Sequence, residues 1–145
     1  MSETEIWAGG CLCGAIRYEA RMRPTDPAYC HCRMCQHIGG APAMAFADVP
    51  LDHFAYVKGE PAVYRSSAMA ERRFCPRCGS PLEWRAAENP TQVEITIASL
   101  DRAAELAPAA HIWTESRLPW FDTTDSCPRH RREPGVSKEL STTAP

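Results

Sequence analysis

Eight cysteines stand at positions 11, 13, 30, 32, 35, 75, 78 and 127 of a 145-residue chain, and the first seven fall in tight groups. Their spacing suits metal ligands. Cys11 and Cys13 lie too close along the chain for an easy disulfide, which needs a set separation and direction of its Cβ atoms. Pointing the same way, they could share one metal ion. Cys75 and Cys78 form a Cys-x-x-Cys knuckle in "FCPRCGSPL" (74–82), with Pro76 inside it and Gly79 just after. In such a knuckle both thiolates face one metal, backbone N–H groups bond the sulfurs, and the glycine supplies any positive φ the exit requires. Structural zinc takes four ligands. Cys11, Cys13, Cys75 and Cys78 are therefore expected to make one four-thiolate site that staples the N-terminal strand to the middle of the chain. A redox role for Cys75 and Cys78 is the rival reading, but no βαβ pattern of thioredoxin type surrounds them.

The stretch "YCHCRMCQHIGGAP" (29–42) is different, because Cys30, Cys32 and Cys35 make a Cys-x-Cys-x-x-Cys loop. Three thiolates can hold one zinc and leave its fourth position open, the mark of a catalytic site, where a thiol or a carbonyl oxygen could enter. A closed site completed by His31, His37 or another residue fits the spacing equally well. Zinc with four thiolates carries a formal charge of −2 and with three −1, so nearby donors or cations are needed. Arg33, Arg72, Arg73 and Arg77 all lie near cysteines in sequence. Each taken singly is expected on the solvated surface. Cys127 reads as a free thiol, His53 and His130 as surface residues, and His111 as a core or hydrogen-bonding histidine rather than a ligand. Trp113, Trp120 and Phe121 read as core, although "LPWF" could also line a pocket. Arg129 to Arg132 reads as a solvated run.

The elements that must position these groups are short. "AIRYEA" (15–20) alternates Ile16, Tyr18 and Ala20 against polar neighbours, and "PAMAFADV" (42–49) carries Met44 and Phe46 at period two. "FAYVKG" (54–59) and "AVYRSS" (62–67) flank a turn at Gly59-Glu60-Pro61. "ERRF" (71–74) leads into the knuckle and "PLEWRA" (81–86) out of it, with Leu82 and Trp84 expected on one face and Glu83 and Arg85 on the other. "QVEITIASL" (92–100) is the clearest strand, and "HIWT" (111–114) the last. Helix signals are few: "LDRAAELA" (100–107) before Pro108, and a few residues of "CRMCQHIG" (32–39). The pattern predicts a mainly β domain. From Pro128 onward the chain is polar and without periodicity, which predicts a flexible tail over 128–145.

Size and composition set bounds. One domain is expected from 145 residues. The hydrophobic fraction of 44% and charged fraction of 23% are ordinary for a globular protein. A net charge of −2 argues against nucleic-acid binding, which needs a basic face. No apolar run approaches the roughly 18 residues needed to cross a bilayer. The start, "MSETEIWAGG", has neither a basic n-region nor an apolar h-region. A cytoplasmic protein is expected, and clustered cysteines in a reducing compartment are metal or redox sites rather than disulfides.

Taken in order, "GGCLCGAIRYEA", "YCHCRMCQHIGGAPAMAF", "FCPRCGSPLEW", "ITIASLD" and "HIWTESRLPWF" resemble the glutathione-dependent formaldehyde-activating enzyme family, also called the GFA or centromere protein V family. The resemblance runs over about residues 5 to 122, within a domain placed at 5–127. It implies a β-tent fold of small antiparallel sheets around zinc. It implies structural zinc on Cys11, Cys13, Cys75 and Cys78, and catalytic zinc on Cys30, Cys32 and Cys35. The implied activity is that of S-(hydroxymethyl)glutathione synthase, a carbon–sulfur lyase joining glutathione to formaldehyde. Its partner is a small-molecule substrate, with glutathione the default thiol. No acid–base group stands out, with His31 and His37 the nearest in sequence. "DRAAELAPAAHIW" departs from relatives that have a proline soon after the aspartate. A non-catalytic zinc module that recognises a partner is the alternative function.

Overall fold

Several of the strands form because apolar residues at every second position give a short segment one face to bury. The computed structural model describes residues 4–134. Its elements, in chain order, are β1 (Trp7–Gly10), β2 (Arg17–Ala20), β3 (Thr25–Cys30), α1 (Arg33–Gly39), β4 (Met44–Pro50), β5 (Phe54–Lys58), β6 (Ala62–Arg65), β7 (Ala70–Phe74), β8 (Pro81–Ala86), β9 (Gln92–Thr96) and β10 (Ala110–Ile112). A three-stranded sheet has the order β1-β2-β5 and a seven-stranded sheet the order β10-β3-β4-β9-β8-β7-β6. The protein is mainly β, as expected. The second sheet is larger than the small sheets expected, and its β10 edge runs parallel to β3, where an all-antiparallel arrangement was expected. Among the described residues no helix is long and apolar enough to cross a membrane.

The main core lies between the two sheets. Trp7 and Tyr18 from the small sheet meet Val49, Val93 and Ile95 from the large one, all without solvent exposure. Tyr56 on β5 donates a 2.6 Å hydrogen bond to Glu83 on β8, and Arg85 holds the same carboxylate. The ion pair and the hydrogen bond let the buried carboxylate cross between the sheets without an unpaired charge. The opposite face of the large sheet carries a second, smaller cluster of Cys30, Cys35 and Phe46, packed by Met44, Trp84, Ile112 and Trp113. This second face positions the three-cysteine loop.

Several expectations need correction. Leu82 and Trp84 do not share a face: Leu82 joins the main core and Trp84 the second cluster. Register shifts between Arg73 and Phe74, so Phe74 faces Pro81 while Arg73 faces Glu83, leaving Leu82 as an extra residue. Such a bulge reverses the alternation. The strand expected to Leu100 stops at Thr96, because Ser99 Oγ donates to Thr96 O at 2.8 Å and closes a 3-10 turn over Ile97–Ser99. The helix expected over 100–107 is only a 3-10 turn at Ala103–Glu105. So short a segment nucleates poorly, and tertiary bonds hold it instead: Asp101 N to Ala8 O at 2.9 Å, and Arg102 to Glu5 at 3.2 Å. β1 and β3 carried no strand signal, since β1 contains two glycines and β3 contains Pro27 and a positive φ at Asp26.

The segment expected as a tail begins differently. His111 N donates to Pro128 O, and His130 N returns a bond to His111 O, both at 2.8 Å. Arg129 pairs with Asp125, and Arg132 with Glu115 at 2.9 Å. Arg129 and Arg132 are therefore ion-paired, with Arg129 and Arg131 exposed as expected and Arg132 half-buried. Polar composition shows only that a segment has no apolar face to bury; an open strand edge needs none from it. Residues 135–145 of the expected tail lie outside the described residues.

Candidate functional site

Two turns bring the first four cysteines together. After β1 the chain turns through Cys11 to Gly14, with Gly14 N donating to Cys11 O at 3.2 Å. The turn between β7 and β8 closes with Gly79 N on Cys75 O at 2.8 Å. Gly14 (φ +80) and Gly79 (φ +83) take the left-handed backbone that each exit needs. The sulfurs of Cys11, Cys13, Cys75 and Cys78 all lie within 4.8 Å of one another. Cys11 and Cys13 sulfurs are 3.6 Å apart, and those of Cys13 and Cys75 3.8 Å. Zinc–sulfur bonds of about 2.3 Å in a tetrahedron set sulfur–sulfur edges of about 3.8 Å, so this donor set fits zinc. Amide donors support the sulfurs, Ile16 N on Cys11 at 3.2 Å and Arg77 N and Cys78 N on Cys75 at 3.4 Å. Ser80 ties the halves, its hydroxyl 3.1 Å from the Cys78 sulfur and accepting from Leu12 N at 3.0 Å. That hydroxyl is the main influence lowering the Cys78 thiol to about 5.

The other three cysteines form a separate group. Cys30 ends β3, Cys32 caps α1 in extended backbone (φ −65, ψ 152), and Cys35 lies in the first turn. The Cys32 sulfur accepts from Cys35 N at 3.3 Å. All three sulfurs lie within 4.8 Å of one another, and among the described residues no histidine or carboxylate joins them. Hydrogen bonds from Cys30 and Cys35 pull the Cys32 thiol down to about 3, against its burial. The bond from Cys32, then that from Cys35, and burial hold Cys30 well above the ordinary thiol range. At Cys35 the bond with Cys30 lowers the thiol, but the bond with Cys32 and burial together raise it, to about 12. One negative charge is thus easy here and three are not without a cation. Soft thiolate donors close enough to chelate, and unable to ionise together alone, fit zinc.

Around this group the sheet register sets a row. Asp48 on β4 faces Glu94 on β9, Glu94 faces Trp84 on β8, and Trp84 faces Arg72 on β7. Arg72 is only 6% exposed, and its Nη2 lies 3.6 Å from the Cys35 sulfur. Burial raises the Glu94 carboxyl to about 8 and Asp48 to about 6.

Behind the loop runs a hydrogen-bonded chain. His31 Nε2 lies 2.9 Å from His111 Nδ1, and His111 Nε2 lies 3.1 Å from both Asp125 oxygens. The carboxylate can only accept, so His111 Nε2 carries a proton; in the neutral imidazole its Nδ1 is then the acceptor for His31 Nε2–H. His31 is 1% exposed, and its Nδ1 has no partner. In extended chain successive side chains alternate, so Cys30 and Cys32 share one side and His31 takes the other. His31 therefore anchors the loop from behind rather than facing the sulfurs.

The family model described as glutathione-dependent formaldehyde-activating enzyme matches residues 6–116. The chain belongs to the glutathione-dependent formaldehyde-activating enzyme family. It is 34% identical over 76 residues to an uncharacterized lyase of Schizosaccharomyces pombe, a stretch covering 52% of this chain and 55% of that protein. The chain thus spans about half the length of this curated relative. It is also similar to the crystal structure of a Rhodobacter sphaeroides protein, with a TM-score of 0.56 and 24% identity, over 70% of this chain and 97% of the other. That likeness shows the fold.

For this member of the formaldehyde-activating family, the remaining sequence candidates divide. His111 is buried and hydrogen-bonded, and Cys127 joins neither cysteine group, its thiol lying 3.7 Å from Pro108 O. His53 is exposed and paired with Asp52. Trp120, expected in the core, is 73% exposed and lines a shallow hollow with Arg33, Pro42 and Leu118. Trp113 packs on the second cluster, and Phe121 tilts against His31. Of the four arginines, Arg77 is exposed, Arg33 bonds His37 at 3.2 Å, and Arg73 pairs with Glu71 at 3.2 Å. Arg72 alone is buried against a cysteine group, against the expectation of a solvated residue. Glu94 and Asp125 carried no sequence signal: Glu94 is one of the polar alternates between Val93 and Ile95, Asp125 lies in a polar run, and only long-range pairing gives either a place.

Proposed function

We propose that this chain is a zinc-dependent carbon–sulfur lyase of the S-(hydroxymethyl)glutathione synthase type. It acts on a thiol of the glutathione kind together with formaldehyde or another small electrophile. The observation that carries this reading is the difference between the cysteine groups. One brings four sulfurs together and is complete, whereas the other brings three, with Cys32 half-buried and no fourth protein donor among the described residues. Three ligands and an open position are the arrangement of catalytic zinc. Cys11, Cys13, Cys75 and Cys78 hold the structural zinc, and Cys30, Cys32 and Cys35 the catalytic one.

In the reaction the thiol sulfur bonds to the carbonyl carbon, the carbon–oxygen double bond becomes single, and the thiol proton passes to the oxygen. The reverse reaction undoes each change. Bound zinc supplies Lewis acidity and lowers the pKa of a thiol. The protein's own part is placement. Met44, Phe46, Trp84 and Trp113 wall the three sulfurs with apolar surface, which keeps water from competing, and holding the two reactants together supplies much of the acceleration. We place the protein in the cytoplasm, where a reducing environment keeps such thiols free to bind metal.

The test is the exchange rate between glutathione and its formaldehyde adduct, followed by NMR with zinc-loaded protein. Wild type accelerates it, and Cys32→Ser, with its four-thiolate site intact, does not. Equal rates for wild type and Cys32→Ser, with glutathione and with other small thiols, would end this reading.

A further inference from the structure

Arg72 is the one of the four cysteine-adjacent arginines that the fold buries, and its surroundings are unusual for a guanidinium. Its Nη2 lies 3.6 Å from the Cys35 sulfur. Its Nε is buried and has no hydrogen-bond partner. Among the described residues no carboxylate lies within ion-pair distance of it. A buried guanidinium is costly unless its charge and its donors are used. Half of that use is visible in Cys35. The other half is a free N–H donor and an unspent positive charge on the wall of the three-cysteine site.

Charge accounting gives it a purpose. A divalent ion on three thiolates has a formal charge of −1, and Arg72 brings the total to zero. An arriving neutral ligand leaves that total unchanged. An arriving anion makes it −1, where without Arg72 it would be −2. In surroundings walled by Met44, Phe46, Trp84 and Trp113, that difference is poorly screened. We propose that Arg72 is a specificity-determining residue that makes the three-cysteine site prefer an anionic sulfur ligand over a neutral one. The proposal rests on the reading that this site holds a metal with one open position. It names the ionised thiol as the form of substrate that the site takes, with Arg72 balancing its charge and offering Nε–H as a donor.

The experiment uses cobalt(II) in place of zinc, because sulfur–cobalt charge-transfer and d–d bands report each added ligand without any turnover. Full-length wild type, Arg72→Met and Arg72→Lys are loaded with cobalt and titrated separately with 2-mercaptoethanol and with imidazole. A charge-assisted hydrogen bond lost from the bound anion corresponds to about ten- to hundredfold in affinity. The thiol is therefore expected to bind Arg72→Met at least about tenfold more weakly. Imidazole is expected to bind it as it binds wild type, and Arg72→Lys should keep part of the thiol affinity. A merely structural role would weaken both ligands together, and that result overturns the proposal. So does a thiol affinity in Arg72→Met within about twofold of wild type. If Arg72→Met does not fold, Arg72→Gln takes its place with the same two outcomes. If wild-type bands do not respond to thiol at all, the open-position reading fails and this inference fails with it; a responsive wild type beside an unaffected Arg72→Met refutes the role of Arg72 alone.

Discussion

Glu94 is the sharpest place to test the electrostatics of the second face. Its carboxyl is raised from an ordinary 4.5 to about 8, chiefly by burial. The sign follows from proton counts. Between those two values the unfolded chain has released the proton and the folded chain has kept it. The folded state then binds more protons, and stability falls as pH rises, until the loss is complete above about 8. Asp48 adds a loss of the same sign, but its shift ends at about 6, so a window starting at pH about 6.5 isolates Glu94. From there to pH 9 the penalty grows by about 1.5 pH units, or about 2 kcal/mol at about 1.4 kcal/mol per unit. Glu94→Gln keeps the shape and removes the titration. Urea unfolding of both proteins at pH 6.5 and pH 9, with the same metal loading, should show wild type losing about 2 kcal/mol more than the variant. In melting temperature that is roughly 4–8 °C. Thiol and histidine titrations are common to both proteins and cancel in the difference. Parallel pH slopes for the two would refute a half-buried Glu94 that holds its proton to about 8.

Two further outcomes follow from the cysteine groups and from the histidine chain. Elemental analysis of reduced protein should find about two zinc ions per chain. Cys32→Ser should fall to about one and stay folded, whereas Cys75→Ser should lose the staple and melt broadly; one zinc in wild type would remove the three-cysteine metal site. His111→Phe leaves His31 Nε2 buried without an acceptor, which should cost about 1–3 kcal/mol in urea unfolding. It should also weaken the three-cysteine metal site about tenfold in chelator competition, and unchanged values would mean that the His31–His111–Asp125 chain does not hold the loop.

Much of this site was legible in the linear chain because metal chelation is partly local. Two cysteines separated by one or two residues already face one point, and a glycine after each pair marks the left-handed exit. Seven cysteines therefore sorted themselves into two groups, and the structure brings together the same two. Alternation likewise gave Ile16, Tyr18, Val93 and Ile95 their buried face. Local pattern fails where bonds come from far away. β3 was hidden because Pro27 and the bulge beside it break alternation, and its place comes from pairing with β4 and with β10. Leu82 and Trp84 part company through one extra residue that no spacing rule reveals. Arg33, Arg72, Arg73 and Arg77 look alike along the chain, and only the register of β7 against β8 puts Arg72 beneath Cys35. Asp125 lies 14 residues from His111, which in turn lies 80 from His31. The grouping of the sulfurs was a local property of the sequence. The charge around them was not, because charges act through space and the fold alone decides which of them meet.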